Sequence, residues 1–421
     1  TVILAKTIKG YGMGGSGEGM NIAHQAKKMS HDDVVRFRDR FEIPVSDDQL
    51  AEMPLVKFSE GSPELEYMRS RRMELGGYLP QRRTKAESLP VPGLDAFAAL
   101  LEATTDGREI STTMAFVRLL NTVVRDKTIG KRVVPIVPDE SRTFGMEGMF
   151  RQLGIYSSVG QLYEPQDSDQ VMFYKEQQDG QILEEGINEA GSFSSWVAAA
   201  TSYTVNGIQM IPFYIFYSMF GFQRIGDLAW AAGDSRARGF LLGATAGRTT
   251  LNGEGLQHED GHSQLMAAMI PNCVSYDPTF AYELAVIMQD GLKRMVENQE
   301  DVFYYITVMN ENYSHPEMPK GVEADIIKGM YQFSTSKAKG EKVQLMGSGV
   351  ILREVIEAQK ILETDYGVSA DVWSVTSFNE LRKDALEIDR WNRMNPDKPQ
   401  KESHVEKLLK KAEGPIIAST D

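Results

Sequence analysis

The sequence predicts an α/β protein in which helices cover both faces of a parallel β-sheet, followed by a second, smaller α/β domain. Between residues 110 and 310, short and continuously apolar segments alternate with segments whose apolar residues recur at helical spacing. Strands that are apolar along their whole length are typical of parallel sheets buried on both faces. A shorter run of the same alternation begins near residue 340.

The amino-terminal part is less regular. The apolar segment 1–8 is predicted to form a buried strand, and HDDVVRFRDRF (31–41) a short helix with acidic residues in its first turn. Between them, GYGMGGSGEG (10–19) contains six glycines, which indicates a mobile loop or a backbone that approaches a ligand closely.

The elements of the main sheet follow in order. The predicted strands are RVVPIVPD (132–139), QMIPFYIFYS (209–218), GFLLGATAG (239–247), CVSYD (273–277) and DVFYYITVM (301–309). The predicted helices are ISTTMAFVRLLNTVVRD (110–126), AGSFSSWVAAATSYTV (190–205), a segment near 223–235 and TFAYELAVIMQDGLKRMVEN (279–298). VMFYKEQQDGQILEEG (171–186) is predicted to be a hairpin that turns at Asp179-Gly180.

The second domain is predicted to be β-α-β-α-β. Its strands are KVQLMGSG (342–349), SADVWSV (369–375) and PIIAST (415–420). A three-stranded open sheet leaves an edge exposed, so we expect this domain to be truncated and the chain to be a piece of a longer polypeptide.

The composition excludes several classes of protein. The formal net charge is −14, whereas a surface that binds nucleic acid is rich in Lys and Arg. No nucleic-acid partner is therefore expected. No run of 18 apolar residues occurs, so no membrane span is expected. The single cysteine, Cys273, is predicted to be a buried apolar residue, and this usage suits a cytoplasmic protein.

The segment GEGLQHEDGH (253–262) raises two hypotheses. His258, Glu259 and His262 match the H-E-x-x-H pattern of zinc peptidases, with Glu283 as a conceivable third ligand. Glycines at 253, 255 and 261 disfavour the helix that such a zinc site requires. The other hypothesis is a polar loop after a strand of a parallel sheet, where such folds bind ligands.

Several stretches together resemble the thiamine diphosphate enzymes of the transketolase type. They are AKTIKGYGMGGSGEGMNIAHQAKK (5–28), DESRTFGMEGMFRQLGIYS (139–157), GINEAGSFSSWVAAATSY (186–203), PFYIFYSMFGFQRIGDLAW (212–230) and GRTTLNGEGLQHEDGHS (247–263). Within that family they are most similar to the homodimeric bacterial pyruvate dehydrogenase E1 type. The resemblance covers essentially the whole chain, and the motifs are specific as a set rather than singly.

The resemblance implies a division into four parts. Residues 1–30 would be the tail of a diphosphate-binding domain, 31–108 a connecting segment, 109–325 a pyrimidine-binding domain and 326–421 a truncated C-terminal domain. It also implies pyruvate decarboxylation on thiamine diphosphate, with acetyl transfer to the lipoyl domain of the dihydrolipoamide acetyltransferase E2. A 2-oxoglutarate-type E1 or a transketolase remains an alternative.

The resemblance assigns the pyrimidine side of the site to four residues. Glu189 would hydrogen-bond the cofactor's pyrimidine nitrogen, and burial at its strand-to-helix junction would favour the protonated carboxyl. Phe220 would pack on the ring, Tyr217 would hydrogen-bond near the reacting carbon, and Ile187 would support the bent cofactor. Taken alone, a glutamate at a helix start is more often a cap.

The remaining assignments concern substrate binding and acetyl transfer. His258 would bind the substrate carboxylate or the intermediate, with Glu254, Glu259 and His262 as surrounding polar groups. His24 would assist transfer to the lipoyl group. Lys9 would reach the diphosphate or the substrate carboxylate, and Glu140 would complete the polar network.

The family's Mg²⁺ motif, Gly-Asp-Gly, does not occur in the sequence. We therefore expect the Mg²⁺ ligands in a missing N-terminal region, no metal ligand in this chain, a second E1 subunit as partner, and little activity from the isolated piece. His31, His315 and His404 are predicted to be surface residues.

Overall fold

The computed structural model describes residues 2–26, 28–77, 83–138, 141–251 and 254–421. They fall into two compact units, Thr1–Gln81 and Arg82–Asp421. None of the helices in these ranges combines the length and the apolar character that a membrane crossing demands.

The amino-terminal unit is built from short helices. They are α1 (His31–Arg40), α2 (Pro63–Glu74) and the 3₁₀ turns Gly14–Ser16, Asn21–His24 and Asp47–Glu52. Ser30 caps α1 by accepting a hydrogen bond from the backbone N–H of Asp33 at 3.2 Å, which agrees with the predicted helix. The predicted buried strand at 1–8 is wrong, because residues 2–8 form no strand and Leu4 is 93% exposed. An apolar run without a partner strand does not become a strand.

The glycine-rich loop, residues 10–19, is stabilised by hydrogen bonds to its own Glu18 side chain. The backbone N–H groups of Gly12 and Gly14 both donate to the Glu18 carboxylate at 3.2 Å. Arg40 on α1 pairs with the same carboxylate at 2.6 Å. Arg40 therefore lowers the pKa of Glu18 through its hydrogen bond and charge.

The second unit contains the remaining elements. Up to residue 307 they are α3 (Ala98–Leu101), α4 (Thr112–Val124), β1 (Val133–Val137), α5 (Phe150–Leu153), β2 (Ile155–Tyr156), β3 (Glu176–Gln177), β4 (Leu183–Glu184), α6 (Glu189–Ala200), α7 (Ser202–Val205), β5 (Ile211–Tyr217), α8 (Gly221–Asp234), β6 (Phe240–Ala244), α9 (Ser263–Ala267), β7 (Cys273–Tyr276), α10 (Ala281–Leu292) and β8 (Phe303–Thr307). A π-helical turn, Lys293–Glu297, extends α10.

The main sheet has six parallel strands in the order β4-β1-β5-β6-β8-β7. Its central strands are buried along their length, and Cys273 is buried at the start of β7, as predicted. The parallel α/β fold that the sequence predicts is confirmed, with helices packed on both faces.

The predicted hairpin at 171–186 is wrong. β3 and β4 flank the turn at Asp179-Gly180, but β3 pairs in parallel with β2, and β4 pairs in parallel with β1. The predicted turn is present, but β3 and β4 pair with other strands and not with each other.

The second sheet has four strands. Its elements are α11 (Glu323–Lys328), β9 (Tyr331–Ser334), β10 (Lys342–Gly347), α12 (Ile351–Asp365), β11 (Ser369–Ser374), α13 (Phe378–Met394), α14 (His404–Leu409) and β12 (Ile416–Ser419). The strand order is β12-β10-β11-β9, and β9 runs antiparallel to β11. The three-stranded prediction missed β9, which covers the edge of β11 that it left open.

Two histidines predicted to lie on the surface are buried. His315 accepts a hydrogen bond at Nδ1 from the N–H of Ala281 at 3.0 Å, and its Nε2 donates to the carbonyl of Ile110 at 2.9 Å. His404 is also buried, with Nε2 bonded to the carbonyl of Met330. Each buried imidazole ring is stabilised by at least one hydrogen bond to a backbone group. His31 is exposed, as predicted.

Candidate active site

A cavity of about 380 Å³ lies at the carboxyl ends of β1, β4, β5 and in the loop after β6. Its walls include five of the residues proposed from sequence, namely Ile187, Glu189, Tyr217, Phe220 and His258. Open parallel sheets bind their ligands at this edge, because the connecting loops there converge above the strand ends. The fold thus brings together residues as far apart in the chain as Ile187 and His258.

Glu189 is the first residue of α6, which Asn188 caps by accepting a hydrogen bond from the N–H of Gly191 at 3.1 Å. The cap fixes the start of the helix and directs the Glu189 side chain to the cavity. The side chain is 16% exposed, so the expected burial is largely present.

Sequence reasoning missed the partner of Glu189. Arg224 on α8 forms an ion pair with the Glu189 carboxylate, and its guanidinium lies 4.6 Å from the centre of the Phe220 ring. The signal was present in FQRIGD (222–227), where a single arginine follows the aromatic strand end.

Three aromatic rings meet edge to face inside the cavity. The centres of the Tyr217 and His258 rings are 5.0 Å apart, and those of Phe220 and His258 are 5.3 Å apart. Tyr217 and Phe220 are 6.2 Å apart and also T-shaped. Buried Phe144, from the loop after β1, packs on Tyr217 at 5.3 Å. This arrangement offers aromatic surface to a flat ring ligand.

The orientation of His258 is set by its own loop. Nδ1 of His258 lies 2.9 Å from the carbonyl oxygen of Glu254. A carbonyl can only accept, so Nδ1 carries the proton in this contact. In the neutral ring, Nε2 is then the nitrogen that can accept a hydrogen bond or a proton.

Most of the other cavity residues are apolar or aromatic, and Asn188 is the polar exception. Ile187 is 64% exposed at the rim, where it can contact a ligand. Phe213, Tyr214 and Phe216 are buried core residues, as predicted, although the last two also line the cavity. Burial raises the pKa of Tyr214, so its hydroxyl stays protonated at neutral pH.

Three proposed residues remain, Lys9, His24 and Glu140. Lys9 and His24 belong to the amino-terminal unit, where both are exposed, and His24 ends a 3₁₀ turn. Glu140 lies outside the described residues. The roles proposed for these residues stay predictions.

The geometry around HEDGH contradicts the zinc hypothesis. His258 ends a 3₁₀ turn and His262 precedes α9, so the two histidines do not share a helix. Glu283, the conceivable third ligand, is buried and accepts hydrogen bonds from the N–H groups of Thr279 and Phe280. Among the residues with assigned positions, no group of three His, Cys, Asp or Glu side chains could hold a metal ion.

The chain matches two protein-family profiles and several named relatives. Residues 89–316 match the family profile described as "Pyruvate dehydrogenase E1 component middle domain", and residues 329–421 match "Transketolase-like TK C-terminal domain". Proteins named pyruvate dehydrogenase E1 component are 66% identical in Cupriavidus necator, 65% in Pseudomonas aeruginosa and 58% in Escherichia coli K12. The alignments cover 100% of this chain and 47%, 48% and 47% of those relatives. The chain therefore spans about half the length of the curated relatives it matches.

Solved structures share the fold at much lower identity. Transketolase from Campylobacter jejuni superposes with a TM-score of 0.59 at 16% identity, covering 97% of this chain and 54% of that one. Transketolase from Leishmania mexicana gives a TM-score of 0.56 at 14% identity, covering 94% and 48%. Because the first family profile spans more than half of the sequence, the chain belongs to the family of the pyruvate dehydrogenase E1 component middle domain, in a transketolase-like fold.

Proposed function

We propose that this chain supplies the pyrimidine-binding half of a thiamine diphosphate site that decarboxylates pyruvate. In the full-length protein the acetyl group is then passed to the lipoyl group of an E2 partner. The observation that carries the proposal is the convergence of Glu189, Tyr217, Phe220 and His258 on one cavity. The names of the relatives support the choice of pyruvate.

The cavity residues fit the pyrimidine ring of thiamine. A flat heteroaromatic ring needs an aromatic or apolar wall, and Phe220 and Ile187 provide one. Its ring nitrogen needs a carboxyl partner, and Glu189 lies at the same cavity. Arg224 pairs with that carboxylate and would help to hold it beside the ring.

The protein's own groups position the cofactor and manage protons. Thiamine diphosphate, when bound, supplies the carbon nucleophile and the electron sink for decarboxylation. Glu189 exchanges a proton with the pyrimidine nitrogen, which is a general acid–base role. His258 presents Nε2 to the substrate side, and in its protonated form it would pair with the pyruvate carboxylate.

The finer assignments are part of the same proposal. Lys9 would bind the diphosphate or the substrate carboxylate, His24 would assist transfer to the lipoyl group, and Glu140 would complete the polar network. A second subunit would share the site, and the part of the relatives that this chain does not cover would bind Mg²⁺. A cytoplasmic location fits the single cysteine.

The test is a substrate comparison on the full-length protein. Reduction of ferricyanide is measured with pyruvate, with 2-oxoglutarate and with a ketose phosphate, each with and without thiamine diphosphate and Mg²⁺. We expect activity with pyruvate that depends on the cofactor. Activity with 2-oxoglutarate alone would make this a different 2-oxo acid E1, and absence of activity with the cofactor present would refute the proposal.

A further inference from the structure

A second, open cavity runs along the exposed face of α4. This groove has a volume of about 460 Å³ and shares no lining residue with the candidate active site. It is lined by Pro92, Ala96, Arg118, Asn121, Thr122 and Arg125, with Asp126 at one end.

The polar residues of the groove form one stripe of the helix. Positions 118, 121, 122 and 125 are separated by three, four and seven residues, which places them on the same face of α4. The seven-residue spacing separates Arg118 and Arg125 by about 10 Å along the axis, at 1.5 Å per residue. Both side chains are long enough to bring their guanidinium groups over Asn121 between them.

Neither Arg118 nor Arg125 forms an ion pair within the part of the chain that the structure describes. Both residues are exposed, and the ion pairs recorded within the described ranges all involve other cations. Arg125 donates only to the neutral amide oxygen of Gln152, at 3.3 Å.

Asp126, the acidic residue at the end of the groove, is bonded to its own turn and forms no ion pair with either arginine among the described residues. Asp126 accepts hydrogen bonds at Oδ1 from the backbone N–H groups of Thr128 and Ile129, at 2.8 and 2.9 Å. That carboxylate oxygen is therefore engaged by the turn that ends α4. Thr122 donates its hydroxyl to the carbonyl of Arg118, so the free donors in the groove are the guanidinium groups and the Asn121 amide.

We propose that this groove is a binding site for a small phosphate-bearing molecule, held by Arg118 and Arg125. A guanidinium group donates two parallel hydrogen bonds to a phosphate, and two such groups match a diphosphate better than a single carboxylate. The Asn121 amide adds a neutral donor, and Pro92 with Ala96 forms an apolar wall for the organic part of the ligand. The proposal rests on this groove alone and not on the proposed catalytic function.

The experiment is isothermal titration with inorganic pyrophosphate of the intact protein, loaded beforehand with thiamine diphosphate and Mg²⁺ and then separated from excess cofactor and metal ion. No free diphosphate then competes for the groove. We expect saturable binding that weakens about tenfold or more in Arg118→Gln/Arg125→Gln, since each arginine supplies charge-assisted hydrogen bonds. Arg382→Gln/Arg390→Gln, a pair of exposed arginines on α13, removes the same charge elsewhere and should leave the affinity unchanged.

Two results would overturn the site. One is no saturable heat at millimolar pyrophosphate, and the other is an equal loss in the groove variant and the α13 variant, which would mean a diffuse charge effect. Arg118→Lys/Arg125→Lys keeps the positive charge but removes the planar guanidinium groups that donate paired hydrogen bonds. This variant should therefore bind pyrophosphate more weakly than the parent protein. Pyruvate turnover without pyrophosphate should be the same in all four proteins, which separates this test from that of the catalytic proposal.

Discussion

Glu189 is the residue on which the proposed chemistry depends most. It combines a fixed helix-start position, a largely buried carboxylate and a place on the cavity wall. We predict that Glu189→Gln in the full-length enzyme lowers pyruvate turnover at least ~10²-fold, the usual scale for a general acid–base group. Glu387→Gln on the exposed side of α13 is the matched control and should keep full activity. Retained turnover in Glu189→Gln would remove this residue from the mechanism.

His24 is assigned to a different step from His258. His258 lies in the cavity with the aromatic residues, whereas His24 is exposed in the amino-terminal unit. We predict that His24→Ala impairs acetyl transfer to lipoyl more than pyruvate-dependent ferricyanide reduction. Only the first assay requires the acetyl group to be transferred to the lipoyl group of E2. Equal losses in the two assays would refute that division of labour. His31→Ala, a nearby exposed histidine, serves as the control.

At the scale of single elements, His315 links pH to the stability of α10. Burial lowers the pKa of His315, and its neutral Nδ1 accepts the N–H at the start of α10. The unfolded chain binds a proton at an ordinary histidine pKa of about 6.5. The folded state therefore keeps the full contribution above that pH and loses it as the pH falls toward the lowered folded pKa.

The measurement is the urea midpoint of unfolding between pH 7.5 and 5 for the parent protein and His315→Gln. Glutamine can accept from Ala281 and donate to Ile110 without titrating. We predict that the stability difference between the two proteins shifts in favour of the glutamine variant as the pH falls. A difference that stays constant across this range would show that His315 does not titrate on unfolding.

The same scale shows what the sequence could predict. Elements with a strong internal pattern, such as β5, β6 and α4, were placed correctly. In this fold a short, continuously apolar segment is buried as a strand, and an amphipathic segment forms a helix that buries its apolar face. β9 and the pairing of β3 with β2 were missed because they depend on partners distant in the chain. The pairing of Arg224 with Glu189 is of the same kind, since thirty-five residues separate them.

At the scale of the whole second unit, a buried carboxyl group ties the two sheets together. Glu283 on α10 accepts hydrogen bonds from the hydroxyls of Tyr331 and Ser374, both at 2.6 Å, which belong to the second sheet. Its other oxygen accepts from the N–H groups of Thr279 and Phe280. Burial raises the pKa of Glu283, and these four donors oppose that rise.

We predict that Glu283→Gln lowers the free energy of unfolding by about 2–3 kcal/mol, because an amide cannot accept at both positions and leaves buried donors unpaired. Urea unfolding followed by circular dichroism measures the loss, with Glu387→Gln as the exposed control. An unchanged free energy of unfolding would mean that Glu283 does not hold the two sheets together. Sequence patterns gave no sign of this contact, since Tyr331 and Ser374 lie 48 and 91 residues from Glu283 in the chain.

The central claim is that the cavity at the carboxyl ends of β1, β4 and β5 holds the pyrimidine ring of thiamine diphosphate. Native mass spectrometry of the full-length protein from its own source, and of its Phe220→Ala variant, tests it most directly. The account predicts thiamine diphosphate and magnesium on the parent protein, and loss of most of the thiamine diphosphate when the aromatic wall is removed. A parent protein that carries zinc in place of thiamine diphosphate, or a variant that retains the cofactor fully, would contradict it.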